Sequence, residues 1–180
     1  MNSWLEVAPQ LNQNGNIRCL AILNNELYGG TDYGGCLFKW NGIDSWVQVA
    51  GMLNNNTEID SLCVLNNELY GIASKVGGSS LFKWNGTNAC IQVAPPLNGQ
   101  GLYASVVFNG SIFAASTNGT NSGRLFRWNG TNAWIQVAPQ LNGQETIWTL
   151  AVFNGELYGG TQHNPGGGPD APIGLSTDSG

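Results

Sequence analysis

The sequence predicts an all-β fold, a β-propeller of about four four-stranded blades repeating about every 44 residues. Three observations predict it. Trp40, Trp84 and Trp128 recur at one spacing, and Trp4, Trp46, Cys90 and Trp134 mark a second recurring position. The phrase "NNELYGG" at Asn24–Gly30 returns as "NNELYGI" from Asn66, "NGSIFAA" from Asn109 and "NGELYGG" from Asn154. Each period also contains four short runs of strand-like pattern separated by Asn- and Gly-rich turns. A flat array or solenoid is the competing architecture, but arrays favour shorter periods and leave terminal edges to cap.

Within a period the first strand is an apolar run, "CLAIL", "SLCVL", "SVVF" or "TLAVF". A run apolar on both faces predicts a strand buried in the middle of the assembly. A two-residue turn follows, Asn24-Asn25, Asn66-Asn67, Asn109-Gly110 or Asn154-Gly155, because Asn and Gly accept the positive φ of a tight hairpin. The second strand is "ELYGG" and its equivalents, whose glycines predict close backbone approach near the axis. The third, "CLFKWN", "SLFKWN" or "RLFRWN", alternates as half-buried strands do. The fourth, "WVQVA", "CIQVA", "WIQVA" or the N-terminal "WLEVA", has one aliphatic face and one of Trp with Gln or Glu, as expected of an outer strand.

The succession of an apolar strand, a Tyr-containing strand with a Gly-Gly doublet, and a Trp followed by Val-Ala-Pro resembles the kelch repeat. The resemblance covers nearly the whole chain except the tail after Gln162. The doublet Gly29-Gly30 directly follows Tyr28, where kelch repeats usually leave a gap of apolar residues, so only the fold expectation is carried over. Kelch proteins are mostly interaction modules, with some enzymes among them.

The expected units are residues 18–50, 60–94, 103–138, and 147–162 completed by the N-terminal strand 4–8. Residues 163–180 read as a Gly/Pro-rich loop with a weak final strand in "APIGLSTDSG". Two arrangements are open: a four-bladed ring closed by the termini, or part of a larger ring, including a homo-oligomer that completes one.

Composition narrows the function. Of 180 residues only 9% are charged, the formal charge is −5, and the six basic residues are scattered, which argues against nucleic acid as a partner. No run is long and apolar enough for membrane insertion, and no signal peptide is visible. The expectation is a soluble chain, extracellular or surface-associated. The four cysteines lack metal spacing and fall at four different repeat positions, which predicts isolated small apolar side chains. His163 is the only histidine, and no catalytic set, phosphate loop or EF-hand loop is present. The expectation is a protein that is not an enzyme and needs no cofactor or metal.

Where the copies disagree, two readings are open: drift at an unconstrained surface site, or a functional role. After one apolar residue, each first strand is entered through a different side chain: Arg18, Asp60, Tyr103 and Trp148. The loops on the same face also diverge and carry Asp32, Tyr33, Lys75 and His163. Tyr, Trp and Arg are favoured binding anchors, so these eight residues are the candidate ligand-binding site, one asymmetric patch at the mouth of the axis. The expected role is a recognition or adhesion module binding a protein or glycan. One alternative is a multivalent, lectin-like propeller using Trp40, Trp84 and Trp128 with Asn41, Asn85 and Asn129, or Trp46 and Trp134 with Gln48 and Gln136. Another is a structural repeat component of a surface or virion assembly.

Overall fold

The structure is a computed structural model that describes residues 3, 5–9, 11, 15–51, 57–97, 99–117, 123–139, 146–162 and 174–176. Described residues form strands and no helix. The first repeat comprises β1 (Ile17–Leu23), β2 (Glu26–Thr31), β3 (Leu37–Trp40) and β4 (Trp46–Ala50). The second comprises β5 (Glu58–Leu65), β6 (Glu68–Lys75), β7 (Gly78–Trp84) and β8 (Cys90–Ala94). The third comprises β9 (Gly101–Phe108), β10 (Ser111–Thr117), β11 (Leu125–Trp128) and β12 (Trp134–Ala138). The last comprises β13 (Thr146–Phe153), β14 (Glu156–Gln162) and β15 (Gly174–Ser176).

Each repeat is an antiparallel meander. A single bridge, Thr117 to Thr146, joins the third and fourth repeats into one sheet, so the described residues form three sheets. The hairpins form as their sequences demand: Asn24, Asn25, Asn66, Asn67, Asn109 and Asn154 all have φ between 45° and 63°. The weak final strand expected within 171–180 is present as β15, paired with β14.

First strands stack on one another, β1 on β5, β5 on β9 and β9 on β13. Apolar layers fill the spaces between successive repeats. Leu23, Tyr28 and Leu37 of the first meet Ile59, Leu69 and Phe82 of the second. Cys63, Tyr70 and Ile72 then meet Leu102, Ile112, Phe126 and Trp128. Phe108, Phe113 and Leu125 meet Leu157 of the last. An aromatic pair crosses the first two of these boundaries, Tyr28 to Trp84 at 5.0 Å and Tyr70 to Trp128 at 5.4 Å. Trp84 and Trp128 of the third strands therefore act as inter-repeat wedges, worth about 1 kcal/mol each beyond their buried area.

Two expectations are corrected. The first strands are not all buried on both faces: β1 alternates, with Leu20 and Ile22 exposed, and most of β13 is exposed. Among the described residues no further repeat packs against the outer faces of the first and last repeats, which is why two identically patterned strands differ so much in burial. The N-terminal segment is also not the last repeat's fourth strand here. Leu5–Ala8 is in no strand, and Leu5 and Val7 are exposed; Trp4 lies outside the described residues.

Candidate functional site

The site begins with a backbone irregularity in the first hairpin of every repeat. In β1 the pairing with β2 runs Ile17↔Thr31 and then Cys19↔Gly30, leaving Arg18 with no opposite residue. The second repeat omits Asp60 between Ile59↔Ala73 and Ser61↔Ile72. The third omits Tyr103 between Leu102↔Ser116 and Ala104↔Ala115, and the fourth omits Trp148 between Ile147↔Thr161 and Thr149↔Gly160. All four divergent residues are thus the extra residue of a β-bulge. A bulge re-aims its side chain away from the face it would otherwise occupy.

The side chains converge. The Arg18 guanidinium donates to Glu58 Oε2, lies 3.2 Å from Asp60 Oδ1, and stands 5.1 Å from the centroid of the Tyr103 ring. Tyr103 meets Trp148 edge-to-face at 5.4 Å. A continuous row from Asp60 through Arg18 and Tyr103 to Trp148 therefore draws one residue from each repeat. Trp148 remains half exposed at its end. Glu58, the residue missed in the sequence, was hidden because its counterparts Asn16, Gly101 and Thr146 are not acidic.

Asp60 anchors this row from below. Its side chain is fully buried, and Oδ2 accepts from the Ser74 hydroxyl. Ser74 Oγ is 2.6 Å from Ser79 Oγ, which accepts the Leu102 amide at 2.8 Å. This buried polar chain links the carboxylate to the residue before Tyr103 and so couples the second and third repeats. Burial pushes the Asp60 carboxyl up to about 6, assisted by the nearby Glu58 charge and opposed by the Ser74 hydrogen bond and Arg18. Arg18 Nη2 approaches Asp60 Oδ1 without hydrogen-bond geometry, in keeping with an attraction that does not offset the lost solvation.

The surrounding loop residues differ in how near they come. Asp32 Oδ1 accepts the Asn16 amide at 2.7 Å, and Oδ2 accepts Asn16 Nδ2 at 2.9 Å. Those hydrogen bonds, with a smaller contribution from Arg18, hold its carboxyl below the ordinary value. Tyr33 is exposed on the same loop. Lys75 closes β6 and lines, with Glu58, Ser74 and Tyr103, a cleft of about 340 Å³ beside the row. His163 lies outside the described residues.

The alternative residues have structural duties. Asn41 Oδ1 accepts the amides of Ile43, Asp44 and Ser45, and Asn85 and Asn129 repeat that turn. Trp84 and Trp128 are the inter-repeat wedges. Glu26, Glu68 and Glu156 accept from Tyr28, Tyr70 and Tyr158 on their own strands, and the first two also accept from Lys39 and Lys83 on the adjacent third strands. Cys19, Cys36, Cys63 and Cys90 are unbridged thiols. Among the described residues no group of three or more His, Cys, Asp or Glu side chains is arranged to hold a metal. No described helix is long and apolar enough to cross a membrane.

No protein-family model and no curated protein matches the chain. Solved structures do. The computationally designed Ika4 protein superposes with a TM-score of 0.61 at 14% identity, covering 97% of this chain and 98% of that one. A catalytically inactive virginiamycin B lyase from Staphylococcus aureus, solved with quinupristin, gives 0.66 at 12% identity over 92% of this chain. The extracellular domain of BT4673 from B. thetaiotaomicron gives 0.61 at 17% identity over 93%. The chain spans 57% of the lyase and 23% of the BT4673 domain. At such identities the likeness concerns the fold alone, and that fold is propeller-like.

Proposed function

We propose that the chain forms four kelch-like blades of a propeller and acts as a non-catalytic recognition module. Its ligand, a protein segment or glycan, docks on the row of Arg18, Tyr103 and Trp148, with Asp60 as the buried anchor and Asp32, Tyr33 and Lys75 around it. The observation that carries this reading is the row itself: one bulged, chemically distinct residue per repeat, all in contact. Drift at unrelated surface positions has no reason to produce mutual packing across three repeat boundaries. The half-exposed Trp148 offers a stacking face, and Arg18 and Glu58 offer charged hydrogen-bonding groups beside it. One composite site also accounts better for the geometry than one site per repeat, since the repeated Asn and Trp side chains are committed to turns and packing.

The test is a glycan array and a peptide array probed with labelled protein, followed by calorimetric titration of whatever binds. One ligand per four repeats is expected, with affinity lost in the combined Arg18→Ala, Tyr103→Ala, Trp148→Ala variant. Binding that survives all three substitutions refutes the site, and three or four ligands per chain favours the lectin-like alternative.

A further inference from the structure

The two terminal faces of the stack carry opposite halves of an interface that the chain already makes internally. Toward the following repeat, each sheet presents the positions of Leu23, Tyr28 and Leu37; their counterparts are Leu65, Tyr70 and Leu81, then Phe108, Phe113 and Leu125. Toward the preceding repeat, each presents the positions of Leu62, Val64 and Trp84, equivalent to Ser105, Val107 and Trp128. In the last repeat the first kind of face is open, with Phe153 63% exposed. In the first repeat the second kind is open, with Leu20 55% and Ile22 68% exposed. Among the described residues these faces do not cover one another.

The aromatic residues show what the open faces are built to meet. Tyr28 and Tyr70 each pack on the third-strand Trp of the next repeat. Tyr158, their equivalent in the last repeat, packs on Phe153 of its own hairpin at 6.3 Å, as Phe113 does on Phe108, and has no following Trp among the described residues. Trp40, the equivalent of Trp84 and Trp128 in the first repeat, packs on its own Trp46 at 5.7 Å. Tyr158 at one end and Trp40 at the other are therefore the two halves of a pair formed at both earlier boundaries.

We propose that the last repeat of one molecule docks on the first repeat of a second copy, and that two copies close head to tail into one ring of eight blades. The interface continues the internal one: Phe153 and Tyr158 of one copy meet Leu20, Ile22 and Trp40 of the other. Such a heterologous contact must either close or propagate as a filament. Propellers typically run from about four to eight blades, which two copies satisfy and three exceed. Closure buries both apolar faces without any new kind of contact.

Sedimentation equilibrium tests it at micromolar concentration. The wild-type chain is expected at twice its 19.1 kDa mass. Ile22→Glu and Phe153→Glu, each placing a charge at both junctions of the ring, are expected to halve the mass while keeping the native β circular dichroism spectrum. Mixing the two variants is expected to restore a two-copy species, because one junction of the mixed pair carries neither substitution. Leu20→Lys replaces Ile22→Glu if the latter does not fold. A monomeric wild-type chain, an assembly larger than two copies, unchanged mass in the variants, or no recovery on mixing would each overturn the proposal.

Discussion

Asp60→Asn isolates the energetics of the candidate site. The Asp60 carboxyl is raised from 3.8 to about 6 because burial outweighs the favourable Ser74 and Arg18 interactions. A shift of about two units corresponds to about 3 kcal/mol. The sign follows from linkage: a carboxyl raised on folding contributes stability that is complete below its unfolded value near 4 and is lost as pH rises through about 6. Asparagine keeps the shape and can accept the Ser74 hydroxyl, but it does not titrate. Arg18 retains Glu58. Relative to wild type, Asp60→Asn is therefore expected to gain about 2–3 kcal/mol between pH 4 and pH 8, most of it between pH 4 and pH 6.5. Denaturant titrations followed by tryptophan fluorescence measure this, and the difference between the two proteins cancels every other titrating group. A difference that does not change with pH would show that Ser74 and Arg18 offset desolvation, one in which the variant loses ground as pH rises would show that they outweigh it, and either would refute the reasoning.

Other perturbations have comparably definite outcomes. A methyl group on Gly30 would lie 2.6 Å from Ile59 Cγ2 and 2.8 Å from Cys19 Sγ, so Gly30→Ala is expected to cost about 1–3 kcal/mol in denaturant titrations. Ser79→Ala breaks the link from Asp60 to the Leu102 amide and leaves that amide unsatisfied; a loss of about 1–3 kcal/mol is expected by the same measurement. Burial pushes the thiols of Cys19 and Cys90 up to about 12 and that of Cys63 to about 11. These three are expected to resist a thiol reagent such as dithionitrobenzoate at about pH 8 in the folded protein and to react promptly in denaturant.

The repeat made most of the scaffold legible before any coordinates. Copies of the Asn-Asn and Asn-Gly turns located the hairpins, and Trp40, Trp84 and Trp128 set the period. Divergence picked out Arg18, Asp60, Tyr103 and Trp148, and the structure brings those four together. Their bulges were not legible, because a bulge is a mismatch between two strands and leaves no signature in either one alone. The Arg18 to Glu58 contact spans two repeats, and the copies of Glu58 gave no hint of it. Burial of the first strands was misjudged for a related reason. "CLAIL" and "SLCVL" read alike, but only the second has a neighbour on both sides.

The bulges also separate two kinds of selection acting on one strand. A residue paired in the ladder must suit the strand opposite, so changing it disturbs a neighbour. Arg18, Asp60, Tyr103 and Trp148 are each skipped in the register of the first hairpin, so the ladder itself does not dictate which side chain stands there. Duplication of a whole repeat would supply a ready-made wedge together with one position that the ladder does not dictate. In the proposed recognition role, changes at that position alter the binding row while the wedges stay interchangeable.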